Sequence, residues 1–268
     1  MNRPNWAPIE VDVTRPSVAR VYDFYLGGSH NFESDRAFAR VVLRQYPELI
    51  TITRDNRAFL RRAVLFLCAR GIDQFLDLGS GIPTAGNVHE VAHSVNPSAR
   101  VVYVDHDPVA VLHSRELLRD TDRVVTLGGD LREPQVLMRE AAAQGGLDLT
   151  RPIGVLLVSV LHFIADAEHP ADLVADYMRA AAPGSYIALS HARTDGKQDA
   201  ADLEEIYKRS PNPMHFRSSP QIAALFGDLT VVDPGVVLMP RWHPELDDDL
   251  DRDIDEDYPA LAGVGRRD

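Results

Sequence analysis

The amino-acid sequence predicts an α/β fold in which a mostly parallel sheet follows a helical N-terminal segment. From Gln74 onward, short apolar runs alternate with helical patterns, which is typical of parallel strands joined by helices. The first run ends at Asp77 and is followed by a Gly-x-Gly loop, Gly79-Ser80-Gly81. A loop of this kind between a strand and a helix indicates a nucleotide-type site at the edge of the sheet.

Three helices are predicted before the first strand. Ser17 is a suitable N-cap for the first of them, whose apolar residues fall on one stripe, and Gly27-Gly28 ends it. We interpret residues 1–58 as a helical cap over the strand ends. The three helices are expected over about residues 17–26, 34–44 and 55–69.

The remainder of the chain predicts the sheet and its connecting helices. A helical pattern begins near Thr84, and the helix after the second strand opens with Asp107 as cap and Pro108 in its first turn. Residues 229–239 indicate two short strands joined by a tight Asp-Pro-Gly turn, which predicts a terminal antiparallel hairpin. The core is therefore assigned to residues 59–244. Its parallel strands are expected near residues 74–78, 100–105, 123–127, 153–159 and 185–190.

Polar groups follow three successive strands and suit an adenosine ligand. Asp77 precedes the glycine loop Gly79-Ser80-Gly81, which can approach a ligand closely because glycine has no side chain. Asp105 ends the second strand, where a carboxylate accepts hydrogen bonds from ribose hydroxyls. Asp130 closes the third strand and can accept from an adenine amino group, while the amide of Leu131 can donate to the ring.

The glycine loop is a poor cradle for phosphate. The dinucleotide fingerprint requires a third glycine three residues after the second, and this chain has Thr84 there. The Gly-Lys-Ser/Thr ending of a Walker-type loop does not follow either. S-adenosylmethionine carries no phosphate and needs the close backbone approach, the ribose acid and the adenine contact. NAD is the alternative ligand.

Further sequence blocks support a more specific resemblance. They are residues 15–28, which end in Tyr-Leu-Gly-Gly, and residues 31–32, 35–36, 56–59, 75–84, 87, 89–90, 102–108 and 129–130. Through these blocks the chain resembles the class I S-adenosylmethionine-dependent methyltransferases. More narrowly, it resembles the bacterial S-adenosyl methyltransferase family long known as a domain of unknown function. The resemblance implies a Rossmann-like, seven-stranded, mostly parallel sheet with an antiparallel last strand. It also implies S-adenosylmethionine as cofactor, with His106 beside the adenine.

Candidate acceptor-side residues come from two places in the chain. His162 follows the fourth strand, and we interpret it as part of the cofactor pocket and as a candidate general base; a hydrogen-bonded histidine at a strand end is the structural alternative. Ser159 stands where many methyltransferases have Asp or Asn, which disfavours an amine-methylating mechanism of the Asp/Asn-Pro-Pro type. Tyr25 and Asn31 flank Gly27-Gly28 and are predicted to form a lid over the methionine end or the substrate.

One motif suggests a different chemistry. The segment from His89 to His93 matches the His-Glu-x-x-His pattern of zinc peptidases, in which two histidines on one helix face bind zinc and Glu90 acts as the base. However, the helix starts from the glycine loop, and the family blocks include His89 and Glu90 without a zinc role. We therefore predict a polar helix face and no metal site.

Composition limits the class of protein. The 268 residues include 45% hydrophobic and 25% charged residues, as in an ordinary soluble globular protein. Nine acids and one arginine between Glu245 and Asp257 carry −8 of the net charge of −12, so residues 245–268 are predicted to be a poorly ordered tail. The rest has no basic stripe for nucleic acid. The longest apolar run, 154–165, is too short to span a bilayer, which favours a cytoplasmic protein without membrane contact.

These observations favour an S-adenosylmethionine-dependent methyltransferase that acts on a small-molecule acceptor. The sequence does not define the acceptor or the oligomeric state. Two alternatives stay open at this stage. One is a regulator that binds S-adenosylmethionine without catalysis, because methyl transfer needs no indispensable catalytic residue. The other is an NAD-dependent oxidoreductase.

Overall fold

The computed structural model describes residues 12–83, 86–195, 200–208, 212–244 and 253–268. These residues build an eight-stranded sheet of order β3-β2-β1-β4-β5-β8-β6, and β7 pairs with β8 beside this path. β1 to β5 are parallel and β8 is antiparallel to β5, so the predicted sheet type is confirmed. The strands are β1 (Gln74–Leu78), β2 (Arg100–Asp105), β3 (Val124–Gly128), β4 (Gly154–Val158), β5 (Tyr186–Ala192), β6 (Thr230–Val231), β7 (Val237–Leu238) and β8 (Ala260–Arg266).

The central strands are buried on both faces. Every residue of β1 is buried, and so are the residues of β2 after Arg100. Continuous apolar runs form such strands because helices cover both faces of a parallel sheet. The carboxyl ends of β1 to β5 therefore lie along one edge, where the functional residues gather.

The last part of the sheet differs from the sequence prediction. The predicted hairpin over residues 229–239 is wrong, because β6 and β7 each pair with β8 and not with each other. The prediction of a poorly ordered tail is also wrong for residues 260–266, which form β8; residues 245–252 lie outside the described residues. The prediction extended the acidic run to the end of the chain and so missed the short apolar strand that follows it. This strand is defined by its pairing with β5.

The helices of the described residues flank this sheet. α3 begins earlier than predicted and is continuous across the expected boundary between residues 58 and 59, so that boundary does not separate two units. α4 begins at Val88, after the expected start near Thr84, and Thr84 itself lies outside the described residues. The helices are α1 (Val18–Tyr25), α2 (Glu33–Gln45), α3 (Leu49–Cys68), α4 (Val88–Val95), α5 (Pro108–Leu117), α6 (Pro134–Ala143), α7 (Pro170–Ala180), α8 (Ala200–Lys208) and α9 (Ser219–Ala224).

A buried ion cluster fastens the N-terminal helices to the loop after β2. Arg20 Nε donates to Asp35 Oδ2 at 2.9 Å, and Arg20 Nη1 donates to Asp107 Oδ2 at 3.1 Å. All three side chains are at most 4% exposed. Asp35 also accepts from the amides of Ser17 and Phe32, at 2.9 and 2.7 Å. These contacts set α1 directly above the strand ends.

None of the helices in the described ranges is long and apolar enough to cross a membrane.

Candidate active site

A cavity of about 490 Å³ opens at the carboxyl ends of the strands. It lies where the strand order reverses between β1 and β4, which is the usual place for a ligand in an open α/β sheet. Its floor is formed by the ends of β1 to β4, and its walls by α1, α3, α8 and the segment before α9. Eleven of the twelve predicted cofactor-binding residues line it: Tyr25, Asp77, Gly79, Ser80, Gly81, Asp105, His106, Asp130, Leu131, Ser159 and His162.

The glycine loop is held by its own backbone bonds. The amides of Gly79 and Ser80 both donate to the carbonyl of Val104, at 2.8 and 3.1 Å. Gly79 has φ +70°, and a Cβ there would lie 2.4 Å from Val160 Cγ2, so only glycine fits. These two amides are therefore already paired within the protein and do not form the phosphate cradle of a dinucleotide site.

Asp105 is the buried acid of the site. Its carboxylate accepts from the amide of Gly81 at 2.7 Å and from the amide of Asp107 at 2.8 Å. Burial raises the pKa of Asp105, and the two amide hydrogen bonds act in the opposite direction. Each carboxylate oxygen keeps a lone pair, so Asp105 can still accept from a ligand hydroxyl. His106 follows it and is mostly exposed, with Nδ1 3.7 Å from Asp105 Oδ1.

Asp130 at the end of β3 is tied to a neighbouring arginine. Arg132 Nε donates to both of its oxygens, at 2.9 and 3.0 Å, and Arg132 Nη1 donates to Glu168 at 2.9 Å. The hydrogen bonds from Arg132 lower the pKa of Asp130. The carbonyl of Leu131 accepts from the Tyr177 hydroxyl at 2.7 Å. This fixes the backbone that follows β3 along the cavity.

Asp77 and Arg57, an acid and a base, line the cavity together at the end of β1. Burial raises the pKa of Asp77 to about 7; the nearby Arg57 opposes this rise and Asp105 adds to it. Arg57, on α3, also lines the cavity and donates to Asn87 Oδ1 at 3.2 Å. Within the described part of the chain, no group hydrogen-bonds the buried Ser80 hydroxyl beside them. The site thus contains both signs of charge and a hydroxyl available to a ligand.

A chain of hydrogen bonds joins the ends of β4 and β5 to the N-terminal helices. The amide of Ser159 donates to Ser190 Oγ at 2.9 Å, and Ser190 Oγ donates to Asn56 Oδ1 at 2.6 Å. Asn56 Nδ2 in turn donates to the Tyr22 hydroxyl at 2.9 Å. Ser159 has φ +55°, which is a strained backbone conformation for serine. The hydrogen bond from its amide to Ser190 Oγ stabilises this conformation.

Sequence reasoning did not assign Tyr22, Asn56 or Arg57 to the site, although all three line the cavity. They lie on helices far from the glycine loop in sequence. The available signal was that blocks 15–28 and 56–59 belong to the family resemblance.

His162 lies in a 3-10 turn, Leu161–Phe163, directly after β4 and is 5% exposed. Burial lowers its pKa well below the usual value, so the ring is neutral near pH 7. In the described part of the chain, its buried Nδ1 has no hydrogen-bond partner. A neutral imidazole at this edge can take a proton.

Two residues before α9 hold the turn that carries His162. The amide of His215 donates to the His162 carbonyl at 2.6 Å. The buried Arg217 donates to the carbonyls of Leu161 and Ile164, at 3.0 and 2.7 Å. Its Nη1 also lies 2.7 Å from His191 Nε2, where it donates to the ring. Three backbone carbonyls in and next to the turn of His162 are therefore held by hydrogen bonds.

The loop after α1 is placed differently from the prediction of a lid. Asn31 lies outside the cavity lining; its Nδ2 donates to Asp23 Oδ2 at 2.8 Å and to the Gly28 carbonyl at 2.9 Å. A Cβ on Gly28 would meet Asp23 Oδ1 at 1.9 Å, so this glycine allows a close approach to Asp23. The assignment of Asn31 to the cofactor is corrected: it organises the loop through Asp23. α1 itself contacts the cavity, through Tyr25 among others.

The His-Glu-x-x-His segment is built into the helix packing. His89 Nδ1 is 2.8 Å from the Tyr103 hydroxyl, and His93 Nε2 is 3.0 Å from the Ala99 carbonyl. Among the described residues, no group of three or more His, Cys, Asp or Glu is placed to hold a metal ion.

The residues at the strand ends fit S-adenosylmethionine. The site offers a buried carboxylate for ribose and an unpaired Ser80 hydroxyl, while the Gly79 and Ser80 amides that a pyrophosphate would need are already paired. The donor set therefore suits a ligand without phosphate, and this disfavours NAD.

Comparison with known proteins agrees with this fit. The family described as S-adenosyl methyltransferase matches residues 4–268. A provisionally assigned methyltransferase from Thermobifida fusca YX is 38% identical, with a TM-score of 0.92 over 98% of this chain and 99% of that chain. A DUF574 family protein from Streptomyces avermitilis MA-4680 is 33% identical, with a TM-score of 0.90 over 96% of this chain and 99% of that chain.

More distant similarity supports the fold alone. Human N-acetylserotonin methyltransferase, solved in complex with S-adenosylmethionine, is 14% identical, with a TM-score of 0.50 over 95% of this chain and 63% of that chain. No curated protein is significantly similar to the chain. The family match over nearly the whole length, with the two structures at 33% and 38% identity, shows that this chain belongs to the S-adenosyl methyltransferase family and is a methyltransferase that uses S-adenosylmethionine.

Proposed function

We propose that the cavity holds S-adenosylmethionine over the ends of β1 to β3 and a small-molecule acceptor beyond the ends of β4 and β5. The observation that carries this proposal is that one cavity is lined by eleven of the twelve predicted cofactor residues, among them a neutral, buried histidine, His162. A groove for a nucleic acid would be lined mainly with basic residues, whereas the lining of this cavity includes acids such as Asp77, Asp105 and Asp130.

The residues of the strand ends are assigned to the cofactor. Asp105 accepts from the ribose hydroxyls, His106 lies against the adenine, and Asp130 with the Leu131 amide reads the adenine edge. Gly79 and Ser80 face the methionine portion, where Asp77 and Arg57 offer charges of opposite sign to its ammonium and carboxylate groups. This division follows from the position of each residue along the strand edge.

The acceptor side supplies positioning and a base. When bound, S-adenosylmethionine supplies a methyl group that the positive charge on sulfur has already activated. The protein orients the acceptor atom and excludes water. His162 takes the proton of an acceptor hydroxyl as the oxygen becomes methylated. Arg217 and His215 keep His162 in place through the backbone of its turn.

The test is binding of S-adenosylhomocysteine, measured by calorimetry, to the wild type and to Asp105→Ala. Loss of a charge-assisted hydrogen bond to ribose weakens binding by about 1.5–3 kcal/mol, or roughly tenfold to a hundredfold. Asp73→Ala is the matched control, because Asp73 lies at the opposite end of β1 and pairs with Arg151 on the surface. Wild-type affinity in a folded Asp105→Ala protein would place the ribose elsewhere.

A further inference from the structure

The acceptor end of the cavity is walled by apolar side chains, most of them aromatic. We call these residues the aromatic chamber. They come from the end of α2, the start of α3, the turn after β4, α8 and the segment before α9. They belong to one apolar cluster that is separate from the core around the sheet. The chamber residues are Tyr46, Leu49, Phe163, Leu203, Tyr207, Met214 and Phe216.

The chamber is flanked by two tyrosine hydroxyls and by the ring of His162. The hydroxyls of Tyr25 and Tyr207 face each other at 3.3 Å, and burial raises the pKa of Tyr207 to about 12. The ring of His162 lies 4.5 Å from the ring of Phe163. A neutral acceptor is therefore favoured there, because a buried charge without a partner is costly.

Two charged residues also line this side of the cavity, Glu48 and Arg193. Arg193 is already engaged: it donates to the carbonyl of Glu256 and to Ser219 Oγ, and its Nε lies 4.0 Å from Asp195 Oδ1. The two terminal nitrogens of Arg193 are thus engaged by Ser219 and Glu256, whereas its buried Nε has no hydrogen-bond partner among the described residues.

We propose that the acceptor is a flat aromatic compound with a neutral hydroxyl group, held in the aromatic chamber with that hydroxyl at His162. Aromatic rings pack by edge and by offset faces against Phe163, Phe216 and Tyr207, and the Met214 sulfur adds a favourable contact with a ring. A saturated ring of the same size lacks these ring contacts. The inference rests on the proposed function and adds the chemical class of the acceptor.

The test is binding of 2-naphthol to protein saturated with S-adenosylhomocysteine, measured by calorimetry. The comparison ligands are decahydro-2-naphthol, which keeps the hydroxyl and the two-ring skeleton without aromaticity, and 2-naphthoate, which replaces the hydroxyl with a negative charge. We expect 2-naphthol to bind at least about tenfold more tightly than either.

Two variants locate the site. Phe163→Leu and Phe216→Leu keep an apolar side chain and remove one ring each. Each is expected to weaken 2-naphthol binding about fivefold to tenfold while S-adenosylhomocysteine binds as to the wild type. Phe24→Leu is the matched control, because Phe24 packs in a different cluster and lies outside the cavity lining.

The outcomes separate this inference from the proposed function. Equal affinity for the aromatic and the saturated alcohol, or wild-type binding of 2-naphthol by both leucine variants, would overturn the aromatic acceptor. Failure of S-adenosylhomocysteine to bind the wild type would refute the proposed function instead, and with it the inference that rests on it.

Discussion

Buried ionisable side chains make the residues of the site sensitive to pH. Asp77 is 5% exposed, and burial raises its pKa to about 7. Between the unfolded pKa of about 3.9 and pH 7, the folded protein therefore binds more protons than the unfolded chain. The contribution of Asp77 to the free energy of unfolding therefore falls as the pH rises through this window.

We predict that Asp77→Asn removes this pH-dependent contribution to the free energy of unfolding. The free energy of unfolding of the ligand-free protein is measured with urea at pH 5 and at pH 8. The difference between the variant and the wild type should shift by about 2–3 kcal/mol in favour of the variant from pH 5 to pH 8. The facing groups, Arg57 and Asp105, are present in both proteins, so the difference reports Asp77 together with its electrostatic coupling to these two groups. Asp73→Asn is the control variant, because Asp73 lies at the opposite end of β1, outside the cavity lining. Parallel stability curves for Asp77→Asn and the wild type would contradict a raised pKa.

At the scale of elements, α1 forms a wall of the site because buried charges fix it there. Arg20 lies between Asp35 and Asp107, and the amide of Asp107 donates to Asp105 Oδ1 at 2.8 Å. The helix wall and Asp105 are therefore held by one connected set of contacts.

We predict that Arg20→Met destabilises the protein by about 3–5 kcal/mol, because it leaves two buried carboxylates without their cation. Urea unfolding measures the loss. Arg40→Met is the control: Arg40 pairs with Glu33 on the surface, where both side chains are about half exposed, and its loss should cost at most about 1 kcal/mol. Equal losses in the two variants would show that the buried cluster does not anchor α1.

At the scale of the whole molecule, the C-terminal strand completes the sheet. β8 pairs with β5 over seven residues and also with β6 and β7. Leu261 and Val264 are buried within it, and each contributes about 1.5–3 kcal/mol by burial. Their sum, about 3–6 kcal/mol, is a large share of the stability of a typical domain, about 5–15 kcal/mol.

We therefore predict that a chain ending at Pro259 does not fold cooperatively, as measured by circular dichroism during urea titration. A chain ending at Arg267 is the control, because it loses only Asp268, whose contacts with Thr230 and Arg266 are exposed. A cooperative transition in the shorter chain would mean that β8 is dispensable.

The features that the sequence determined are local ones. Apolar runs identified β1 to β5, since a strand buried on both faces is mostly apolar. Gly79 and the acids Asp105 and Asp130 were predictable because each follows directly on a strand, and the carboxyl ends of parallel strands meet at one edge. The family blocks then indicated the cofactor.

Other features depend on partners that are distant in the chain. β8 is a strand because β5 pairs with it, although an acidic run precedes it. Asn31 serves Asp23 rather than a ligand, and Asn56 reaches the site through Ser190, more than a hundred residues away. A side chain's role is set by what surrounds it after folding. Spacing along the chain could therefore predict which acids lie at the strand ends, and the family blocks could indicate the cofactor. Only the tertiary structure brought α1, α3 and α8 together as walls of the cavity.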